Sequence, residues 1–298
     1  MKNRNAVLII LPIIICALAG ATYYLFVRES DQDQTPHTMS PLLGNVTVYF
    51  IDVGQGDCIF IDTLNRDMLI DGGTENAGNI VVKFLQDLGI THIDFVVASH
   101  PHADHIGGLI KVLEEYNSTY APVIIDCGFT TSSKVYQDFI ALANERTLKH
   151  AVRGQVIILD TYVNLTVLNP KSPLEFDNPN DNSVVLRMQV YNVTFLFTGD
   201  SESKSETSIL KAGLNVTSTI FKVGHHGSRT ATSLEFLEAV NPRVAIISVG
   251  LGNSYGHPHQ ETIEKLTSLG IIIYRTDLDG TITVTTDGIH YTIITENP

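Results

Sequence analysis

His100-Pro101-His102-Ala103-Asp104-His105 sets three imidazoles and a carboxylate within six residues, directly behind the apolar run 93–98. Imidazole nitrogen and carboxylate oxygen are the donors that Zn²⁺ and similar borderline metals accept, and neither core packing nor an ordinary surface calls for so many together. Residues two apart on an extended segment point the same way, so His100 and His102 can grip one ion. As the chain turns away from its strand, Asp104 and His105 swing to another side, where they can hold a second.

Working outward, 298 residues with 44% apolar content allow a substantial core. The beginning of the chain differs from the rest. Behind Lys2 and Arg4, residues 6–27 carry no charge, a stretch long enough to cross a bilayer as a helix. Acid follows at Glu29, Asp31 and Asp33, which places the bulk of the chain outside the cytoplasm. Ala17-Leu18-Ala19 also fits a small-x-small cleavage site, the signature of a removable signal and a secreted product. The expected organisation is a membrane anchor or signal segment over 1–28, a polar linker with Pro36 and Pro41 over 29–44, and one domain over 45–298.

Cys16 lies in the apolar segment, which leaves Cys58 and Cys127 as a disulfide or as two separate buried thiols. Sequons at Asn45, Asn117, Asn164, Asn192 and Asn215 permit glycosylation on an exported domain. The formal charge of −13 speaks against a broad basic face and so against strong nonspecific DNA binding. It leaves phosphate binding at metals open.

From Val46 the pattern becomes regular. Strands are expected at 46–51, 58–62, 68–70, 93–98, 123–126, 156–159, 165–168, 184–190, 193–196, 220–223, 244–248 and 271–274, with a closing hairpin of 282–285 and 291–294 through Asp287-Gly288. Helices are expected at 79–88, 107–116, 135–144, 204–212, 234–240 and 261–269. This mixture fits an α/β (α+β) fold of four layers, αββα, with two packed sheets covered outside by helices and a site in the loops at one edge.

Three further strand ends carry metal-competent side chains. FLFTGD, residues 195–200, delivers Asp200 through a glycine that lets the backbone approach a neighbour closely. KVGHHGS, residues 222–228, offers His225 and His226, one to ligate and one to meet substrate, with Ser228 as an anion donor. Tyr255-Gly256-His257-Pro258-His259 repeats the His-x-His spacing ahead of a helix.

Taken together, these segments resemble the metallo-β-lactamase fold over about residues 46–290. HPHADH matches that superfamily's HxHxDH signature, FTGD its bridging aspartate, and VGH its last ligand motif. The resemblance implies two divalent ions, Zn²⁺ with Mn²⁺ as the alternative. It puts His100 and His102 on the first, Asp104, His105 and His225 on the second, and Asp200 between them. A narrower set, YFIDVGQGDCIFI, LIDGG, SHPHADHIGGL, NDNSVVLR, FLFTGD, KVGHHGS and ISVGLGNSYGHPH, is similar to the soluble domain of ComEC-type DNA-uptake proteins and their stand-alone relatives. Asn180-Asp181-Asn182-Ser183 stands where most of the superfamily places another metal-binding His. The first metal is thereby left to Asp181 or Asn182, or weakly held.

The activity so implied is hydrolysis of a phosphodiester, in a small molecule or a nucleic acid, by water that the metals activate. Asp104 orients the nucleophile, and His226, Ser228, His257 or His259 steadies the developing charge or protonates the leaving oxygen. Asp57 and Asp71, at strand ends near the same edge, are supporting residues or plain turn carboxylates. The same metal pair can open a lactam, lactone or thioester, and a third reading is a metal-stabilised binding module without turnover. No protein partner is implied.

Overall fold

Period-2 burial organises the strands. In Phe95–Ala98, Val97 packs between the two sheets while Val96 and Ala98 face the helices outside. The computed structural model describes residues 45–117 and 122–297. The anchor and linker expected over 1–44 lie outside the described residues. Among the described residues no helix is long and apolar enough to cross a membrane.

The strands run β1 (Val46–Phe50), β2 (Ile59–Asp62), β3 (Asp67–Ile70), β4 (Phe95–Ala98), β5 (Val123–Asp126), β6 (Thr147–His150), β7 (Val156–Asp160) and β8 (Val163–Asn169). They continue as β9 (Val185–Val190), β10 (Val193–Phe197), β11 (Ile220–Lys222), β12 (Val244–Ile247), β13 (Ile272–Arg275), β14 (Ile282–Thr286) and β15 (Tyr291–Thr295). The helices are α1 (Gly78–Asp87), α2 (Ala103–Glu115), α3 (Lys134–Asn144), α4 (Ser203–Lys211), α5 (Leu234–Val240), α6 (Gln260–Ser268) and the short α7 (Thr276–Asp279).

Two sheets form, in the orders β15-β14-β1-β2-β3-β4-β5-β6 and β13-β12-β11-β10-β9-β8-β7. Val48, Phe50, Ile61, Leu165, Phe195 and Phe197 are among the side chains filling the space between them. On the outside of the first sheet, Val81, Leu109 and Phe139 of α1–α3 pack on Phe60, Val96 and Ile124. Phe236, Leu237 and Leu266 of α5 and α6 cover Phe221, Ala245 and Ile247 of the second. These are the four layers expected from the sequence.

Strand direction positions the site. β3 to β6 are mutually parallel, and so are β10 to β13. Parallel strands send all their C-terminal ends to one edge, where open α/β sheets bind ligands. The segments after β3, β4, β10, β11 and β12 carry Asp71, His100, Asp200, His225 with His226, and His257.

Some expectations need correction. The helix expected from 107 begins at Ala103, so Asp104 and His105 occupy its first turn rather than a loop. Strand β6 gave no sequence signal, since Thr147, Lys149 and His150 are exposed at the sheet edge and nothing alternates. Cys58 and Cys127 are separate buried thiols. Cys58 packs under the helices and Cys127 between the sheets, so no disulfide joins them.

Candidate metal centre

The first turn of α2 is pulled against two loops by missing side chains. A Cβ on Gly56 would stand 2.1 Å from the Asp104 carbonyl oxygen, and one on Gly108 1.9 Å from that of Gly72. Glycine at both places permits hydrogen bonds that side chains would block. The Asp57 N–H reaches the Asp104 carbonyl at 3.3 Å, and the Gly72 N–H reaches that of His105 at 2.8 Å. Asp57 and Asp71 are thereby carried beneath the His-rich turn.

Three sets of donor atoms converge, each within 4.8 Å: His100, His102 and Asp200; Asp104, His105 and His226; and Asp57, Asp71 and His105. Asp200 stands between the first two. Its Oδ2 lies 3.7 Å from His100 Nε2 and 3.6 Å from His225 Nε2. Its Oδ1 lies 3.2 Å from His105 Nε2 and 3.4 Å from His226 Nε2. His226 Nε2 is also 3.5 Å from Asp104 Oδ2. The second donor set therefore takes His226, not the expected His225, while His225 turns to the side of Asp200 that faces His100. The two residues part company because both adopt left-handed backbone, φ 49° and 53°. Such non-glycine conformations cost about 1–3 kcal/mol each and persist where the surroundings impose them.

Each of these imidazoles has its Nδ1 engaged and its Nε2 turned to Asp200. His105 Nδ1 donates to Asp71 Oδ2 at 2.8 Å, His226 Nδ1 to the Ser248 carbonyl at 2.9 Å, and His225 Nδ1 to Glu202 Oε1 at 3.0 Å. Metal-ligating histidines are oriented in this way. His105 Nε2, His226 Nε2 and Asp200 Oδ1 are buried without a hydrogen-bond partner. Orphaned buried donors and acceptors cost about 1–3 kcal/mol each, and a shared cation would satisfy all three. The residues fit a divalent metal centre.

The charges agree. Burial favours neutral His100 and His102, holding the first well below its ordinary value and lowering the second, which suits ligation. Burial also opposes charge on His105 and His226, but the carboxylates win. Asp200 and Asp71 raise His105 well above the usual range, and Asp200, Asp104 and Asp57 carry His226 to about 9. His105 and His226 in turn outweigh burial and hold Asp200 well below the carboxylate range. Burial also opposes charge on Asp104, but the nearby His226 and His105 imidazoles win and lower it.

The other expected residues divide. His257 lines the cleft, a space of about 360 Å³, together with Gln55, His102, Asp104, His225 and Tyr255. Burial and the neighbouring His225 and His226 push its pKa down to about 4. Asp181 is turned away, accepting the Ser205 N–H at 3.2 Å. Asn182 spends its amide nitrogen on the carbonyls of Phe176 and Asn178. Ser228 Oγ pairs with Thr230, and His259 Nδ1 accepts the Arg229 N–H. None of these four joins the donor sets.

Two residues carried no signal of their own in the sequence, the buried Lys222 and the half-buried Gln55. Lys222 Nζ lies 2.5 Å from Asp57 Oδ2, with both side chains fully enclosed. Burial raises the Asp57 pKa, but Lys222, His226 and His105 together outweigh it and lower the group. Gln55 Oε1 accepts the Gly250 N–H at 3.2 Å, while its Nε2 is buried without a partner. A lysine at a strand end and a glutamine in a turn carry no chemical signature alone. Gln55 sits inside YFIDVGQGDCIFI and Lys222 inside KVGHHGS, and those ComEC-like segments were the available signal.

The family model of the metallo-β-lactamase superfamily matches residues 51–250. The chain belongs to that superfamily. Its metallo-β-lactamase domain is 31% identical over 254 residues to ComE operon protein 3 of Bacillus subtilis, covering 79% of this chain and 32% of that protein. It is 32% identical over 237 residues to competence protein ComA of Neisseria gonorrhoeae, covering 79% and 31%. The likeness to ComEC-type competence proteins read from the motifs is thus borne out. The chain spans about a third of the length of these relatives. Among solved structures, the metallo-β-lactamase fold protein YhfI of Bacillus subtilis aligns with a TM-score of 0.52 at 12% identity, over 77% of this chain and 96% of that one. The metallo-β-lactamase fold expected from the sequence is present, and the chain is a metal-dependent hydrolase of that superfamily.

Proposed function

We propose that this metallo-β-lactamase domain hydrolyses phosphodiester bonds, holding two divalent ions, Zn²⁺ or Mn²⁺. His100, His102, Asp200 and His225 would hold the first, and Asp104, His105, His226 and Asp200 the second. The observation that carries the pair is the convergence of Nε2 atoms on opposite oxygens of one buried aspartate. Divalent ions so held supply Lewis acidity and make water nucleophilic near neutral pH.

The chain's own residues then bind and orient. Asp104, kept ionised, accepts a proton bond from the attacking water. Gln55 Nε2 donates to a phosphoryl oxygen, filling its missing hydrogen bond. His257, neutral at pH 7, serves as an acceptor at the rim. The competence relatives support a phosphodiester over a lactam or lactone, since DNA uptake handles phosphodiesters.

The test is turnover by the Zn²⁺- or Mn²⁺-loaded chain of bis-p-nitrophenyl phosphate, nitrocefin and a simple lactone. Hydrolysis of the first is expected. Activity confined to nitrocefin or the lactone would overturn the reading.

A further inference from the structure

The acidic balance of the chain hides a local exception. An opening of about 560 Å³ on the outer flank of α4 is lined by Arg153, Lys171, Lys204 and Lys211, with Glu175 as its carboxylate. In a chain with nineteen bases against thirty-two acids, an average opening would be lined by more carboxylates than cations. Lys204 and Lys211 are seven residues apart on α4, two turns along one face, and both are exposed. Neither has a carboxylate within 4 Å among the described residues.

Glu175 is already occupied. Its Oε1 meets Lys171 Nζ at 2.9 Å, and its Oε2 accepts from Ser208 Oγ at 2.5 Å. Arg153 forms the fixed wall. Its Nε donates to the Leu168 carbonyl at 2.7 Å, and its Nη2 to Ser208 Oγ at 3.1 Å and Asn169 Oδ1 at 3.2 Å. These acceptors are neutral, so the guanidinium is held in place with its charge undiminished by direct pairing.

The groove opens at the edge that bears the metal centre. α4 begins three residues after Asp200, and Lys171 follows the end of β8, whose Asn169 Nδ2 donates to the carbonyls of Asp181 and Ser183. Ser183 Oγ in turn accepts the Asp200 N–H at 3.3 Å. From that end outward, Lys204 and Lys211 lie about 10 Å apart along the helix, at 1.5 Å per residue. That separation is about three nucleotide steps at the axial spacing of one strand in a duplex, about 3.4 Å each.

We propose that this groove is a phosphate-binding site, holding the backbone of a nucleic-acid strand to one side of the bond cut at the metal centre. The inference rests on the phosphodiester reading above and narrows it to a polyanionic substrate. It also locates the basic surface that the net charge conceals. Backbone phosphates carry the ligand's charge without regard to base, so the groove recognises a strand and not a sequence.

The test separates binding from turnover. A fluorescein-labelled oligothymidylate of about twelve nucleotides is titrated into the full chain in EDTA, with anisotropy read at several salt concentrations. The comparison is with the K204E/K211E and K204Q/K211Q variants. Binding should weaken roughly tenfold or more on charge reversal and less on neutralisation, with the salt slope smaller by about one to two. Turnover of bis-p-nitrophenyl phosphate by the metal-loaded variants should match wild type, since both lysines lie outside the cleft. Equal affinity in all three proteins, or no binding by wild type, overturns the groove. Displacement of the oligomer by equimolar pyrophosphate assigns the site to small anions and overturns the strand. If bis-p-nitrophenyl phosphate is inert while the oligomer binds through Lys204 and Lys211, the groove stands and the phosphodiester reading falls.

Discussion

His225 and His226 are consecutive in the chain yet address opposite oxygens of Asp200, at 3.6 Å from Oδ2 and 3.4 Å from Oδ1. One strained turn thus addresses both oxygens of Asp200, His226 as part of the second donor set and His225 from the side that faces His100. Replacing His226 with Ala should leave the protein binding about one tight equivalent of metal and should cut activity at least 100-fold. Replacing His225 should weaken the other equivalent. Metal titration of the two variants checks this; loss of the same equivalent from both would show that the turn serves one ion only.

Metal loading should release protons. His105 stands well above its ordinary pKa and His226 at about 9, so at pH 7 the metal-free protein holds both as cations. A ligating imidazole must be neutral, so about two protons per molecule should leave on loading at pH 7. Affinity should rise with pH toward about 9. Calorimetry in buffers of different ionisation enthalpy measures the release, and none at pH 7 would contradict the assignment.

The Lys222–Asp57 pair is enclosed on all sides. Breaking a buried pair costs about 3–5 kcal/mol because the remaining charge is left uncompensated. Lys222→Met should lose about that much in urea unfolding, and Lys222→Met with Asp57→Leu should lose less than the sum of the single changes. Strict additivity would mean that the two charges do not depend on each other.

Asp67 faces Asp62 across β2 and β3, like charge opposite like charge. Burial, then Asp62 and Asp94, raise its pKa to about 7. A carboxyl whose folded pKa exceeds its unfolded value is stabilising only while protonated. The folded protein is therefore favoured below about pH 4 and penalised increasingly as pH rises toward 7. Asp67→Asn should be near neutral at pH 4 and stabilise by about 1–2 kcal/mol at pH 8, the full shift being discounted for partial solvent contact. Thermal melts at the two pH values decide; an equal effect at both would remove the linkage.

Much of the fold was legible because its signals are local. Short apolar runs such as Phe95–Ala98 and turn glycines such as Gly199 set the element order with few errors. The exceptions have physical causes. β6 is an edge strand without a buried face, and α2 starts early because contacts to the 56–57 and 72–73 loops, invisible in sequence, stabilise its first turn. At the site, His100, His102, Asp104, His105 and Asp200 announce themselves by residue type. Ser228, His259 and Asp181 share the chemistry but were claimed by neighbours.

The sequence alone determined the two-sheet class and the supply of ligand-type side chains, because periodicity and composition act over a few residues. Only the tertiary structure decided which imidazole meets which oxygen of Asp200, that Lys222 neutralises Asp57, and that a basic groove flanks an acidic protein. Those outcomes depend on backbone hand at His225 and His226 and on approaches within about 3 Å between distant segments, where hydrogen-bond geometry selects one arrangement.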